Sequence, residues 1–150
     1  HEVAEELRKQ KSVCKKVHIF VRSNPFREDQ KFYKGNHSLS FLTPTSNTFK
    51  ITELALKALD RIYIPGIEYK KLGVQVSDIQ DEYCHALSLF EEPETPKEKA
   101  LMTLMDFVNK KEGARTLKSF ACGINDFAWY INQNYKSPRY TTSWNEIPEC

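Results

Sequence analysis

No apolar run in these 150 residues approaches the roughly 20 needed to cross a bilayer. The opening stretch, HEVAEELRKQK, has no apolar core of the kind a signal peptide carries. Cysteine is scarce and scattered: Cys14, Cys84, Cys122 and Cys150 form no CxxC pair. The four histidines (His1, His18, His37, His85) stand in no metal-ligand spacing, so neither a zinc site nor any other metal site is expected. Idle or buried thiols in a reducing cytosol are the better reading. Cys84 and His85 are neighbours, but adjacency in the chain is not the geometry of a nucleophile and its base. A small hydrolase built on that pair is kept as a foil. There is no internal repeat.

Apolar residues at 40% and charged residues at 28% describe an ordinary soluble globular chain. Its length suits one domain, or a small domain with an appendage. The first residues read as the middle of a helix whose start is missing, so the chain is expected to be a piece of a longer protein. The net charge of +2 conceals a pattern. Residues 14–77 carry 11 Lys and Arg against 5 Asp and Glu, a net +6; residues 78–98 carry 1 against 7, a net −6. Residues 99–150 carry 7 against 5, and residues 1–13 carry 3 against 3. A basic block, an acidic joint and a near-neutral tail imply three functional stretches, and the basic block suits phosphate contacts.

Periodicity places the elements. Residues 2–12 read as helical, with Val3 and Leu7 on one side. Residues 15–23 alternate as a strand: Val17, Ile19 and Val21 on one face, Lys16, His18, Phe20 and Arg22 on the other. Residues 27–37 read as a loop and 38–43 as a second strand, with Leu39 and Phe41 opposed to Ser38, Ser40 and Leu42. From 48 to 64, Ile51, Leu54, Ala55, Ala58, Leu59 and Ile62 form the stripe of a helix that Pro65-Gly66 stops. Residues 69–78 alternate again, Leu72, Val74 and Val76 against Lys71, Gly73, Gln75 and Ser77. These elements compose an α+β layer, a small antiparallel sheet with helices on one greasy face and a polar, basic face left open. A further helix starts at Thr95-Pro96-Lys97-Glu98, a capping box, with Leu101, Leu104, Met105 and Val108 as its apolar side. The last forty residues are rich in rings and poor in period.

Two features bear on function. The open face suggests a platform for nucleic-acid backbone, its cations neutralising phosphates and its hydroxyls and amides donating hydrogen bonds; a merely solvated sheet face is the alternative. In the acidic joint, CHALSLFEEPETP encloses an apolar knot, Leu87-Ser88-Leu89-Phe90. It is either an element end tucked into the core or a short peptide that docks in a groove of a second protein. Three such anchors at roughly 1.5–3 kcal/mol each, less the costs of ordering and association, give a weak, exchangeable tether.

The stretches AEELRKQKSVCKKVHIFVRSNPF (4–26), NHSLSFLTPT (36–45), ALKALDRIY (55–63), YKKLGVQVSDI (69–79), LMTLMDFVNKKEGARTLKSFACG (101–123) and SPRYTTSW (137–144) are similar to the C-terminal part of UmuC-type proteins, the Y-family translesion DNA polymerases of the bacterial SOS response. The resemblance implies a little finger domain over residues 1–80, with its first strand missing, laid along DNA. It implies DNA contact through Lys15, Lys16, His18, Arg22, Ser40, Lys71, Gln75 and Ser77. Residues 81–94 become an acidic linker in which Ala86, Leu87, Ser88, Leu89 and Phe90 resemble a peptide for the β sliding clamp, with Ala86 where the family usually has Gln. Residues 95–150 become a mainly helical, aromatic-rich extension, expected to meet a UmuD-type accessory subunit or the RecA filament. The palm, with the carboxylates that hold Mg2+, has no counterpart in these residues. No catalytic residue, cofactor or polymerase activity is therefore expected of this chain, and its implied place is the bacterial cytoplasm, at the nucleoid. A stand-alone decoy competing for the clamp or the accessory subunit is the alternative role.

Overall fold

The twelve residues Ser12–Ser23 form the central strand, β1, on which the remaining elements are arranged. The structure is a computed structural model and describes residues 1–27, 30–83, 94–113, 116–119, 136–139 and 145. Two strands flank β1 antiparallel, β2 (Lys34–Thr45) on one side and β3 (Tyr69–Asp81) on the other, so the sheet order is β2-β1-β3. Helix α1 (Glu2–Lys9) precedes β1, α2 (Thr48–Asp60) connects β2 to β3, and α3 (Pro96–Glu112) follows the acidic joint. The expected α+β class is what the chain adopts. Residues His1–Ser119 form one compact unit and Phe120–Cys150 a second.

Alternation in β1 sets the layers. Val17, Ile19 and Val21 point to the helices and are at most 2% exposed. Ala4 and Leu7 of α1, Ile51 and Ala58 of α2, and Ile62 just past α2 close over them. Asn47 caps α2, its side-chain oxygen accepting from the N–H groups of Phe49 and Lys50, which satisfies donors a helix start leaves open. Cys14 belongs to the same core, and burial pushes its thiol up to about 11; it is an inert core thiol rather than a reactive one.

Three expectations need correction. β2 begins at Lys34, inside the stretch read as a loop, because Gly35 and His37 occupy its core-facing positions and hide the alternation. Gly35 is buried there, where a Cβ would meet the Tyr33 hydroxyl at 2.6 Å; that hydroxyl donates to the Ile62 carbonyl. The second correction is to the greasy side of β3. Val76 packs on the core, but Leu72 and Val74 are 55% and 42% exposed. Eight residues of α1 give only about 12 Å of helix, against about 40 Å for a strand of twelve, so α1 covers one end of the sheet alone.

The third correction concerns α3. Its predicted start is present in full: the Thr95 hydroxyl accepts from the Glu98 N–H while the Glu98 carboxylate accepts from the Thr95 N–H. That backbone hydrogen bond, aided by the Thr95 hydroxyl, holds the Glu98 carboxyl below its ordinary range. The rotation of the helix differs from expectation. Met105 is buried as expected, but its buried companion is Met102, whereas Leu101 and Leu104 are exposed. Asp106, on the Met105 side, is fixed by Arg8 of α1 at 2.6 Å, and this ion pair decides which face turns inward. Just before α3, Glu94 accepts from the Thr45 hydroxyl and pairs with Lys50 at 3.5 Å.

Candidate nucleic-acid interface

The side of the sheet away from the helices is built by four successive outward positions of β1 and their partners in register. Lys16 lies between Ser40 and Ser77; His18 between Ser38 and Gln75; Phe20 between Asn36 and Gly73; Arg22 between Lys34 and Lys71. Strand periodicity alone guarantees this grid once β1 buries Val17, Ile19 and Val21, since successive side chains alternate between faces. All the sequence-expected DNA-facing residues except Lys15 fall on it. Lys15 sits at the irregularity between Cys14 and Lys16, where Cys14 turns into the core; it is exposed but stands in register with no residue of β2 or β3. Lys34, Asn36 and Ser38 complete the grid. The first two were hidden by reading 27–37 as a loop, and the signal that finds them is the polar series Lys34, Asn36, Ser38, Ser40 at every second position.

The chemistry of the grid is graded. Its upper row is three cations, Lys34, Arg22 and Lys71, directly opposite one another and all exposed. No acidic side chain among the described residues pairs with any of these three or with Lys16. The Arg22 guanidinium lies 6.0 Å from the centre of the Phe32 ring. The middle rows are neutral. His18 Nδ1 and the Ser38 hydroxyl are 2.7 Å apart, and the rings of His18 and Phe20 lie 6.5 Å apart at 34°. The tip of the Phe20 ring occupies the place a side chain at residue 73 would take: a Cβ on Gly73 would meet it at 2.2 Å. Like charges set opposite each other in a sheet cost stability, so a row of three is a surface that an anion relieves.

Among the described residues no group of three or more His, Cys, Asp or Glu side chains could hold a metal ion, and no helix is long and apolar enough to cross a membrane. Residues 84–93, and with them Cys84-His85 and the expected clamp-peptide residues Ala86, Leu87, Ser88, Leu89 and Phe90, lie outside the described residues.

Residues 1–89 match the impB/mucB/samB family C-terminal domain. The chain belongs to that family. Residues 99–150 match a domain of unknown function, DUF4113. Among curated proteins, the chain is 32% identical over 146 residues to Protein UmuC of Salmonella typhimurium, covering 96% of this chain and 34% of that protein. It is 33% identical over 147 residues to Protein SamB of Salmonella typhimurium, and 33% identical over 150 residues to Protein MucB of Escherichia coli, in each case covering 97% of this chain and 34% of the relative. The chain thus spans about a third of the length of these family members, and the UmuC-type resemblance read from its motifs holds along nearly all of it. The whole open face lies within the family domain, and the DUF4113 match begins inside α3, three residues ahead of the buried Met102.

Proposed function

We propose that this chain is the DNA-gripping, clamp-tethering and non-catalytic part of a UmuC-type Y-family translesion DNA polymerase. The observation that carries the reading is the open sheet face, where Lys16, Arg22, Lys34 and Lys71 stand without acidic partners among the described residues. Four point charges beside serine, asparagine and glutamine suit phosphates and read no base edge, so binding is to backbone and tolerant of sequence. Nucleotidyl transfer requires two metal ions held by paired carboxylates; we assign that chemistry to the polymerase's palm and none of it to this chain. The extension matched by DUF4113 is left for accessory partners such as a UmuD-type subunit or RecA.

The test is a titration of the full chain with labelled duplex DNA at increasing salt. Four phosphate contacts give a slope of log K on log salt of about −3.6, and affinity falls roughly 100-fold between 50 and 200 mM. Binding that ignores salt overturns the reading.

The tether belongs to the same proposal. Leu87, Leu89 and Phe90 are the apolar anchors of a β clamp peptide, exchangeable because three buried side chains barely exceed the cost of ordering them. Leu89→Ala with Phe90→Ala is expected to remove the chain from immobilised clamp in a pull-down, with duplex binding unchanged. Full retention of the double variant on the clamp refutes the assignment.

A further inference from the structure

Phosphate gripping needs no rings, yet the central strand presents two on the face that bears the cations. His18 and Phe20 occupy successive outward positions of β1, each half-buried, with centres 6.5 Å apart. Both sit in the middle rows, with Lys16 on one side and the Lys34, Arg22, Lys71 row on the other. An aromatic beside a cross-strand glycine has a structural use, since its ring shields the bare backbone; that accounts for Phe20 leaning over Gly73. It does not account for His18 in the next row, held by Ser38 at 2.7 Å, or for the cations at both ends of the pair.

We infer that this face also takes an unpaired DNA strand, stacking two neighbouring bases on His18 and Phe20 while Lys16 and the row of three cations hold its phosphates. Two rings spaced along a central strand, framed by positive charge, combine the two requirements of single-strand binding, a stacking platform and a track for the backbone. A duplex keeps its bases stacked inside and offers those rings nothing; only a strand with its bases exposed can use them. Because Gly73 leaves the room that the Phe20 ring fills, Gly73→Ala displaces the ring without removing it.

The inference rests on the backbone reading above, and the experiment separates the two. Fluorescence anisotropy of the full chain is measured with three labelled probes of equal length: oligothymidylate, an oligonucleotide of abasic sites, and a duplex. Oligothymidylate is expected to bind about tenfold or more tighter than the abasic strand, as each stacked base contributes on that scale. Phe20→Leu and Gly73→Ala are each expected to erase most of that difference while duplex binding and its salt slope persist. Should a variant fail to fold, the wild-type comparison of thymidylate with abasic strand still decides. Equal affinities for those two strands, with salt-dependent duplex binding intact, overturn the stacking role and leave backbone gripping standing. Absence of salt-dependent binding to all three probes overturns both.

Discussion

Arg8→Ala is expected to destabilise the domain by about 2–3 kcal/mol, a little below the loss when one partner of a fully buried ion pair is removed, because this pair is part-buried. Arg8 Nε and Nη2 donate to the two oxygens of Asp106 at 2.6 Å each, a bidentate pair. Its Nη1 donates to the Ser46 carbonyl at 2.6 Å and to the Thr48 hydroxyl at 3.0 Å. One side chain therefore joins α1, the turn between β2 and α2, and α3. The two charged groups are 15% and 28% exposed, far from the solvated pairs that contribute little. Removing Arg8 leaves the Asp106 carboxylate and the Ser46 carbonyl without this donor in a half-dry site, and it frees α3 to turn toward its other apolar stripe. The measurement is urea unfolding of the full chain followed by circular dichroism, with Asp106→Ala and the double variant completing a cycle. A coupling energy of about 2 kcal/mol or more is expected from the cycle, because bidentate charge-assisted bonds are the strong ones. A coupling near zero would place the pair among ordinary surface contacts.

That clasp also explains where reading the sequence failed. In α3 Met105 belongs both to the expected stripe Leu101-Leu104-Met105-Val108 and to a neighbouring one through Met102, and nothing local ranks the two. The choice is made by Asp106 meeting an arginine 98 residues away, and such a partner has no signature in a window of eighteen residues. β1 was legible because its own pattern contains both answers, the buried Val17-Ile19-Val21 and the outward Lys16-His18-Phe20-Arg22. β2 was half legible: Leu39 and Phe41 announce a strand, but Gly35 and His37 do not look like core positions, so Lys34 and Asn36 were lost with them. In β3 the period correctly sorted Leu72, Val74 and Val76 onto one face. It could not say that α1 ends too soon to cover two of the three, since cover is a property of helix length and not of strand pattern. The apolar knot at 87–90 stands out in the sequence by its contrast with the acidic residues around it, and it lies outside the described residues.

The second large effect is expected on the face itself. Arg22→Gln, Lys34→Gln and Lys71→Gln together should weaken duplex binding roughly 500-fold at 0.1 M salt. Each phosphate contact that releases a counterion contributes about eightfold there, and three multiply. The salt slope should fall by about 2.7 in the same experiment, to near −1, leaving Lys16 as the remaining contact of the four. Stability should move in the other direction or not at all. Lys34 and Lys71 both stand opposite Arg22, and relieving two like-charge oppositions returns a few tenths of a kcal/mol each. Against that stands the loss of the Arg22 contact with the Phe32 ring, about 0.5 kcal/mol at an exposed site. The melting temperature should therefore stay close to wild type while DNA binding collapses, and that pairing separates a binding surface from a damaged fold. If the triple variant keeps its affinity and slope, the cations are ordinary solvated charges. If it melts early, the row contributes to folding in a way that its exposure and its lack of acidic partners among the described residues argue against.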